Sequence, residues 1–241
     1  MAIRVTALIL AAGASSRAGV DKIFADLYGK PALLYSLMAF EQARTIDDII
    51  IVAAQSRVSE VKRMCLEHTI LKMKQIYAGG ETRVMSAEIG LSGCVQSHYV
   101  AIHDGARPLV TPDEIDRTVE AAKRYRAAIL AAPVRETIKV VSRADGGGGI
   151  PGAEDDKVVR LTPDRRVLYA AQTPQVFETK LYSDSLALLP DDVVITDDAS
   201  IVERNGVAPY IVEGGNTNIK LTYSEDLMMA ELLLRVRMSG E

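Results

Sequence analysis

Short, nearly uninterrupted apolar runs recur along the N-terminal half of the chain, and they constrain its fold more than any other feature. Residues 3–11 and 127–132 form two of these runs. Such runs mark strands buried on both faces, as in parallel sheets covered by helices. Further strands are predicted at 48–53, 74–77 and 99–103. Between them the apolar spacing turns helical. Residues 31–44 put Leu33, Leu34, Leu37 and Phe40 on one face, behind a proline suited to a first turn. Helices are also predicted at 57–67 and 82–93. Thr111-Pro112-Asp113-Glu114 has the form of a capping box with proline at its first helical position, opening a helix to about Arg126. This alternation predicts an α/β fold with a mostly parallel sheet and helices on both faces.

The run 5–12 also has the outline of a short signal peptide, with Arg4 before it and small residues 13–16 after it. It is short and has one basic residue ahead of it, so a buried strand leading into a tight loop is the expectation. No stretch approaches the ~20 apolar residues of a membrane span. Apolar residues make up 48% of the chain, enough for a core. The net charge of −4 argues against a general nucleic-acid binder. Cys65 and Cys94 form no CxxC pair, which points to reduced thiols and a cytoplasmic protein. Cys65 and His68 fall three apart on a predicted helix, short of the four ligands of a structural metal site.

After residue 132 the pattern breaks. Residues 137–142 and 157–162 read as strands around a polar stretch with Gly146–Gly149, Pro151 and Gly152. This predicts a projecting β-hairpin arm at about 136–163. A strand at 167–171, helices at 178–188 and 197–204, and a strand at 208–212 follow. The last helix, 223–236, is expected to start at a capping box formed by Thr222-Tyr223-Ser224-Glu225. With no internal repeat, residues 1–241 read as a single domain carrying the arm.

After the strands that lead into helices, neither GxGxxG nor GxxxxGK[ST] occurs. The first strand leads instead into Ala11-Ala12-Gly13-Ala14-Ser15-Ser16-Arg17, then Lys22. Small residues let a backbone approach phosphate oxygens, and open α/β sheets bind ligands at the carboxyl ends of their strands. A small-residue turn with solvated charges fits that segment equally well. Asp104, in His103-Asp104-Gly105-Ala106-Arg107-Pro108, is also at a strand end, where it can hold Mg²⁺ or cap a turn paired with Arg107. His103 reads as structural. Three further segments hold candidates: Ala132-Pro133-Val134-Arg135-Glu136-Thr137, Asp164-Arg165-Arg166 with Gln172-Thr173-Pro174-Gln175, and Asn218-Ile219-Lys220.

Taken in order with Thr196-Asp197-Asp198-Ala199-Ser200, these segments resemble the cytidylyltransferase family of the non-mevalonate isoprenoid pathway, over nearly the whole chain. The resemblance implies a doubly wound nucleotidyltransferase fold and a homodimer that exchanges arms. It implies transfer of cytidylyl from CTP to 2-C-methylerythritol 4-phosphate with a divalent cation, Mg²⁺ or another. Carried over, Ala11, Ala12, Gly13, Gly80, Glu81 and Ser86 would surround cytidine. Arg17 and Lys22 would hold the triphosphate, and Asp104 the metal. Arg107, Thr137, Arg165, Thr173 and Lys220 would surround the acceptor phosphate, with Thr137 and Arg165 donated by a partner's arm. The chain departs from the family at Asp21, where proline is usual, and in a short 13–22 loop with Ser15 and Ser16 where Gly and Arg are common. Ribitol 5-phosphate is the alternative acceptor, and a non-catalytic nucleotide-binding protein or a nicotinamide dehydrogenase the alternative class. The missing glycine fingerprint counts against the dehydrogenase.

Overall fold

The computed structural model of this chain describes residues 3–13, 22–143, 157–190, 193 and 195–239. In chain order its elements are β1 (Val5–Ala11), β2 (Asp26–Leu27), β3 (Lys30–Pro31), α1 (Ala32–Gln42), β4 (Asp48–Ala53), α2 (Val58–Glu67), β5 (Met73–Ala78), α3 (Arg83–Leu91), β6 (Tyr99–Asp104) and α4 (Pro112–Tyr125). There follow β7 (Ala127–Pro133), β8 (Val140–Arg143), β9 (Lys157–Leu161), β10 (Tyr169–Glu178), α5 (Thr179–Ala187), α6 (Ala199–Arg204), β11 (Tyr210–Glu213) and α7 (Ser224–Ser239). The main sheet runs β11-β7-β10-β6-β1-β4-β5. Its pairs are parallel except where β10 runs antiparallel to β6 and β7. The mostly parallel α/β architecture predicted from the apolar runs is the one found.

Alternate side chains of β1 enter opposite layers. Ala7, Ile9 and Ala11 pack with Leu33, Leu37 and Phe40 of α1 and Val119 of α4. Leu8 and Leu10 pack with Ala87 of α3 and with Leu181 and Tyr182 of α5. Each layer also buries one free thiol, Cys65 in the first and Cys94 in the second. Burial raises these thiols to about 11 and about 12. Helix α3 lies close on the sheet because Gly90 has no side chain, and a Cβ there would collide with Leu8 and Val52.

Several elements differ from expectation for identifiable reasons. β10 runs on past residue 171 to Glu178, through the Gln172-Thr173-Pro174-Gln175 segment. Proline has no N–H for the ladder, and a register shift against β7 between Ala171 and Gln175 accommodates Pro174. The β2–β3 hairpin was not predicted. Its turn residues Tyr28 and Gly29 both have positive φ, at 51° and 81°, as a two-residue hairpin turn requires. Both bonds of the Thr111–Glu114 capping box form. At α7, however, Asp226 and not Glu225 caps the start, its Oδ2 accepting from the N–H groups of Thr222 and Tyr223 at 2.6 Å each.

The arm is a separate two-stranded sheet, β8 against β9. Its strands are shorter than predicted, and Thr137 lies before β8. The glycine-rich tip, within residues 144–156, falls outside the described residues. Val140, Val141, Val158, Val159 and Leu161 of the arm are all exposed. Among the described residues, no helix is long and apolar enough to cross a membrane.

Candidate active site

The parallel register puts Leu10 of β1 opposite Asp104 of β6, so the ends of these strands meet at one edge of the sheet. Because β10 is antiparallel, it starts at that same edge and brings Thr173 beside Asp104. A cleft of about 380 Å³ opens there. Ala12 and Gly13 form one wall, Gly80, Glu81 and Ser86 another, and Asp104 and Lys220 line its floor. The two walls approach closely because Gly79 lacks a side chain, whose Cβ would collide with that of Ala12. Ser86 Oγ locks the turn, accepting from Gly80 N–H at 3.2 Å and donating to Thr82 O at 3.0 Å. A larger groove of about 680 Å³ along α4 and β11 carries none of the predicted site residues.

Asp104 is the electrostatic centre. Lys220 Nζ donates to its Oδ2 at 2.8 Å, and Arg83 Nη2 and Nε donate to its Oδ1 at 3.2 and 3.3 Å. Arg107 Nε stands 4.0 Å from Oδ2. Burial disfavours the carboxylate, but the field of Arg83 and Lys220, with the Lys220 hydrogen bond and Arg107 behind them, holds Asp104 well below the usual carboxylate range. Lys220 is placed by the backbone, since Leu221 N–H donates to Ala106 O at 2.8 Å. Asn218, fully buried, donates its side-chain N–H to Thr173 O at 3.0 Å, and its own carbonyl accepts from Arg107 Nη1 at 2.8 Å.

Beneath Asp104, Thr173 and His103 form a closed set of bonds. Thr173 Oγ1 accepts from Asp104 N–H at 3.1 Å and lies 2.9 Å from His103 Nδ1. His103 Nε2 faces Arg107 O at 3.1 Å. A carbonyl only accepts, so Nε2 carries the hydrogen and Nδ1 accepts from the threonine. Burial lowers the His103 pKa to about 4, leaving the ring neutral at pH 7.

Of the predicted residues, Ala12, Gly13, Gly80, Glu81, Ser86, Asp104 and Lys220 share the cleft, and Ala11 ends β1 beside it. Arg107 and Thr173 stand behind Asp104. Lys22 is buried with its ammonium 5.7 Å from the Tyr223 ring centroid, and its neighbour Ile23 lines the cleft. Thr137 and Arg165 are exposed at the base of the arm, where Arg165 Nη1 donates to Arg135 O at 3.0 Å. Arg17, with the whole 14–21 segment, lies outside the described residues.

Sequence reasoning missed Arg83, and it gave Asp198 only as part of the 196–200 segment, without a role. Arg83 Nη2 also donates to Asp198 Oδ2 at 2.6 Å, a contact 115 residues apart in the chain. One local signal was available for Arg83. It follows the N-cap Thr82 and so sits at the start of α3, where the helix dipole disfavours a cation.

A doubly wound sheet with a small-residue strand end and a strand-end aspartate at one ligand-sized cleft is the arrangement in which open α/β proteins bind nucleotides and similar ligands. Comparison with known proteins narrows this. A 40% identical protein of Caldanaerobacter subterraneus, aligned over 97% of this chain and 100% of its own length, is a 2-C-methyl-D-erythritol 4-phosphate cytidylyltransferase. So is a 39% identical protein of Dehalococcoides mccartyi, with 96% of each chain covered. The crystal structure of 4-diphosphocytidyl-2C-methyl-D-erythritol synthase from Anaerococcus prevotii superposes with a TM-score of 0.82 at 28% identity, covering 97% of this chain and 96% of that one. The chain belongs to the 2-C-methyl-D-erythritol 4-phosphate cytidylyltransferase family, whose model matches residues 5–236.

Proposed function

We propose that this chain joins CTP to 2-C-methyl-D-erythritol 4-phosphate, giving 4-diphosphocytidyl-2-C-methyl-D-erythritol and pyrophosphate in isoprenoid precursor biosynthesis. Family membership supports the reaction, and one observation ties it to this chain's own residues. The cleft gathers the Gly13 strand end, the Gly80–Ser86 turn, Asp104 and Lys220 around a single ligand-sized space.

The acceptor phosphate has a second pKa near 6, so its dianion is present at pH 7 without a general base. One of its oxygens forms a bond to the α-phosphorus of CTP while the bond from that phosphorus to the β-phosphate oxygen breaks, releasing pyrophosphate. The barrier lies in bringing two anions together, which positioning and fixed charge must lower. In this reading Ala11, Ala12, Gly13, Gly80, Glu81 and Ser86 enclose the cytidine, while Lys22 and Arg17 neutralise the triphosphate. Lys220, Arg107 and Thr173 orient the acceptor.

Mg²⁺ or another divalent cation fits Asp104. Magnesium is usually held by one or two carboxylates together with substrate phosphates and water, not by an all-protein cage. The described residues contain no group of three or more candidate metal ligands, and Asp104 is ionised and reaches the cleft. When bound with the nucleotide, the cation would supply neutralisation of phosphate charge.

A homodimer through exchanged arms is part of the same proposal. A two-stranded hairpin is marginal in water by itself. The exposed valines of β8 and β9 need covering, and a second copy would bring Thr137 and Arg165 to the partner's cleft. Two buried, free cysteines support a reducing compartment, the cytoplasm.

The reaction is tested by pyrophosphate release with four nucleotides crossed against the two acceptors, with and without EDTA. Turnover is expected with CTP, 2-C-methyl-D-erythritol 4-phosphate and a divalent cation. A preference for ribitol 5-phosphate would replace the acceptor. Binding of CTP without release of pyrophosphate from either pair would reduce the protein to a nucleotide binder.

A further inference from the structure

Arg83 is the charged side chain of the cleft that no substrate role uses. It is tied at both ends. On the cleft side its Nε and Nη2 donate to Asp104 Oδ1. On the core side Nη2 donates to Asp198 Oδ2 at 2.6 Å, and the other oxygen of Asp198 accepts from the Tyr182 hydroxyl at 2.6 Å. Asp198 is 1% exposed, and Tyr182 is fully buried. Burial and the adjacent Asp198 raise the Tyr182 pKa well above the phenol range, so it stays a neutral donor. A buried carboxylate needs a paired and hydrogen-bonded setting. Tyr182 and Arg83 provide it, and they also fix where the guanidinium can be. Lys220 holds the second oxygen of Asp104 differently, through one ammonium on a flexible, half-exposed stem.

We propose that Arg83 is a positioning residue, a strap anchored in the core by Asp198 and Tyr182 that fixes one oxygen of Asp104. The second oxygen, which Lys220 holds in this structure, is then the one offered to a divalent cation. This inference rests on the reading of Asp104 as the metal-holding residue. A planar guanidinium can join two carboxylates at once, whereas a lysine at the same position is a single point charge and cannot reproduce the fork. Groups that orient a metal-binding carboxylate from behind typically change metal affinity about 10–100-fold when altered.

The test measures the Kd of Mn²⁺·CTP by electron paramagnetic resonance, with no acceptor present, for the native protein and for Arg83→Lys, Tyr182→Phe, their double variant and Asp104→Asn. Arg83→Lys and Tyr182→Phe leave the charge of the cluster unchanged, so an altered Kd reports orientation and not field. Arg83→Lys is expected to raise the Kd about 10-fold or more. Tyr182→Phe is expected to raise it less. The double variant should be no weaker than Arg83→Lys alone, because Tyr182 acts through Arg83. In turnover, Arg83→Lys should need more Mg²⁺ yet approach native kcat when Mg²⁺ saturates, whereas general structural damage would lower kcat at every concentration. If Asp104→Asn loses affinity while Arg83→Lys and Tyr182→Phe keep the native Kd, the strap is overturned and the metal reading stands. If Asp104→Asn also keeps it, the metal reading itself fails. Should Arg83→Lys not fold, the Tyr182→Phe Kd decides, and a native value overturns the strap.

Discussion

At the scale of single residues, the site is a balance of buried charge around Asp104, and two neighbours make the balance measurable. His103 is buried and neutral, with burial lowering its pKa to about 4 against the opposing pull of Asp104 and of the bond to Arg107. The unfolded chain carries an ordinary histidine near pH 6.5, so it takes up the proton first as pH falls. Stability from this group is therefore complete above about pH 6.5, lost progressively down to about pH 4, and level below that. The loss amounts to about 2 kcal/mol by pH 5. Thermal melts at pH 7.5 and 5.0 should show a smaller drop in Tm for His103→Gln than for the native chain. An equal drop would assign the pH dependence to other groups. Lys22 tests the triphosphate role proposed for it. Losing one charge-assisted contact to a transition state typically costs about 10²–10³ in kcat. Lys22→Ala should lose activity on that scale while melting normally. Native kcat would leave Lys22 as a scaffold cation beside Tyr223.

At the scale of elements, the site depends on how closely α3 lies on the sheet. Gly90→Ala would drive a Cβ into Leu8 and Val52, and overpacking of this kind typically costs about 1–3 kcal/mol. Denaturant unfolding should show that loss, and a raised KM for CTP should accompany it, because the helix carries Ser86 and Arg83. Removing the cap of α4 with Thr111→Ala should cost about 1 kcal/mol with KM unchanged, since that helix start is away from the cleft. Elements whose signal is local were legible in the sequence. β1, β4 and β7 are buried on both faces and carry it in nearly every residue, and the α4 box needs only four consecutive positions. β10 was expected only to residue 171; Pro174 beyond it has no N–H for the ladder, and the strand accommodates it at a register shift. The β2–β3 hairpin has two residues a side, too few for any period to show. The cleft residues were named through the resemblance to the family, but Arg83 was not, and Asp198 stood only inside the 196–200 segment with no role given to it. Their ion pair joins distant segments and leaves no pattern along the chain, so only the fold brings it into view.

At the scale of the whole molecule, the arm decides whether one chain is enough. If Thr137 and Arg165 serve a partner's cleft, Arg165→Ala and Lys22→Ala protomers are each inactive alone but complement when mixed. Half of a random mixture then carries one intact site in two, so activity should recover to about a quarter of native. No recovery after verified subunit exchange would return both residues to their own chain. The two free cysteines, one on either side of the central sheet, have a consequence of a different kind. With pKa values of about 11 and about 12 and no access to solvent, neither reacts with an alkylating reagent while its layer stays closed. Each thiol is a clock for its own side. Pulsed alkylation followed by mass spectrometry would time the opening of the α1–α2–α4 layer at Cys65 separately from that of the α3–α5–α6 layer at Cys94. Equal rates would mean that the sheet comes apart as one cooperative body. A faster Cys94 would mean that the layer carrying Arg83, Asp198 and the Gly80–Ser86 turn breathes on its own, and CTP should then slow that thiol and leave Cys65 untouched.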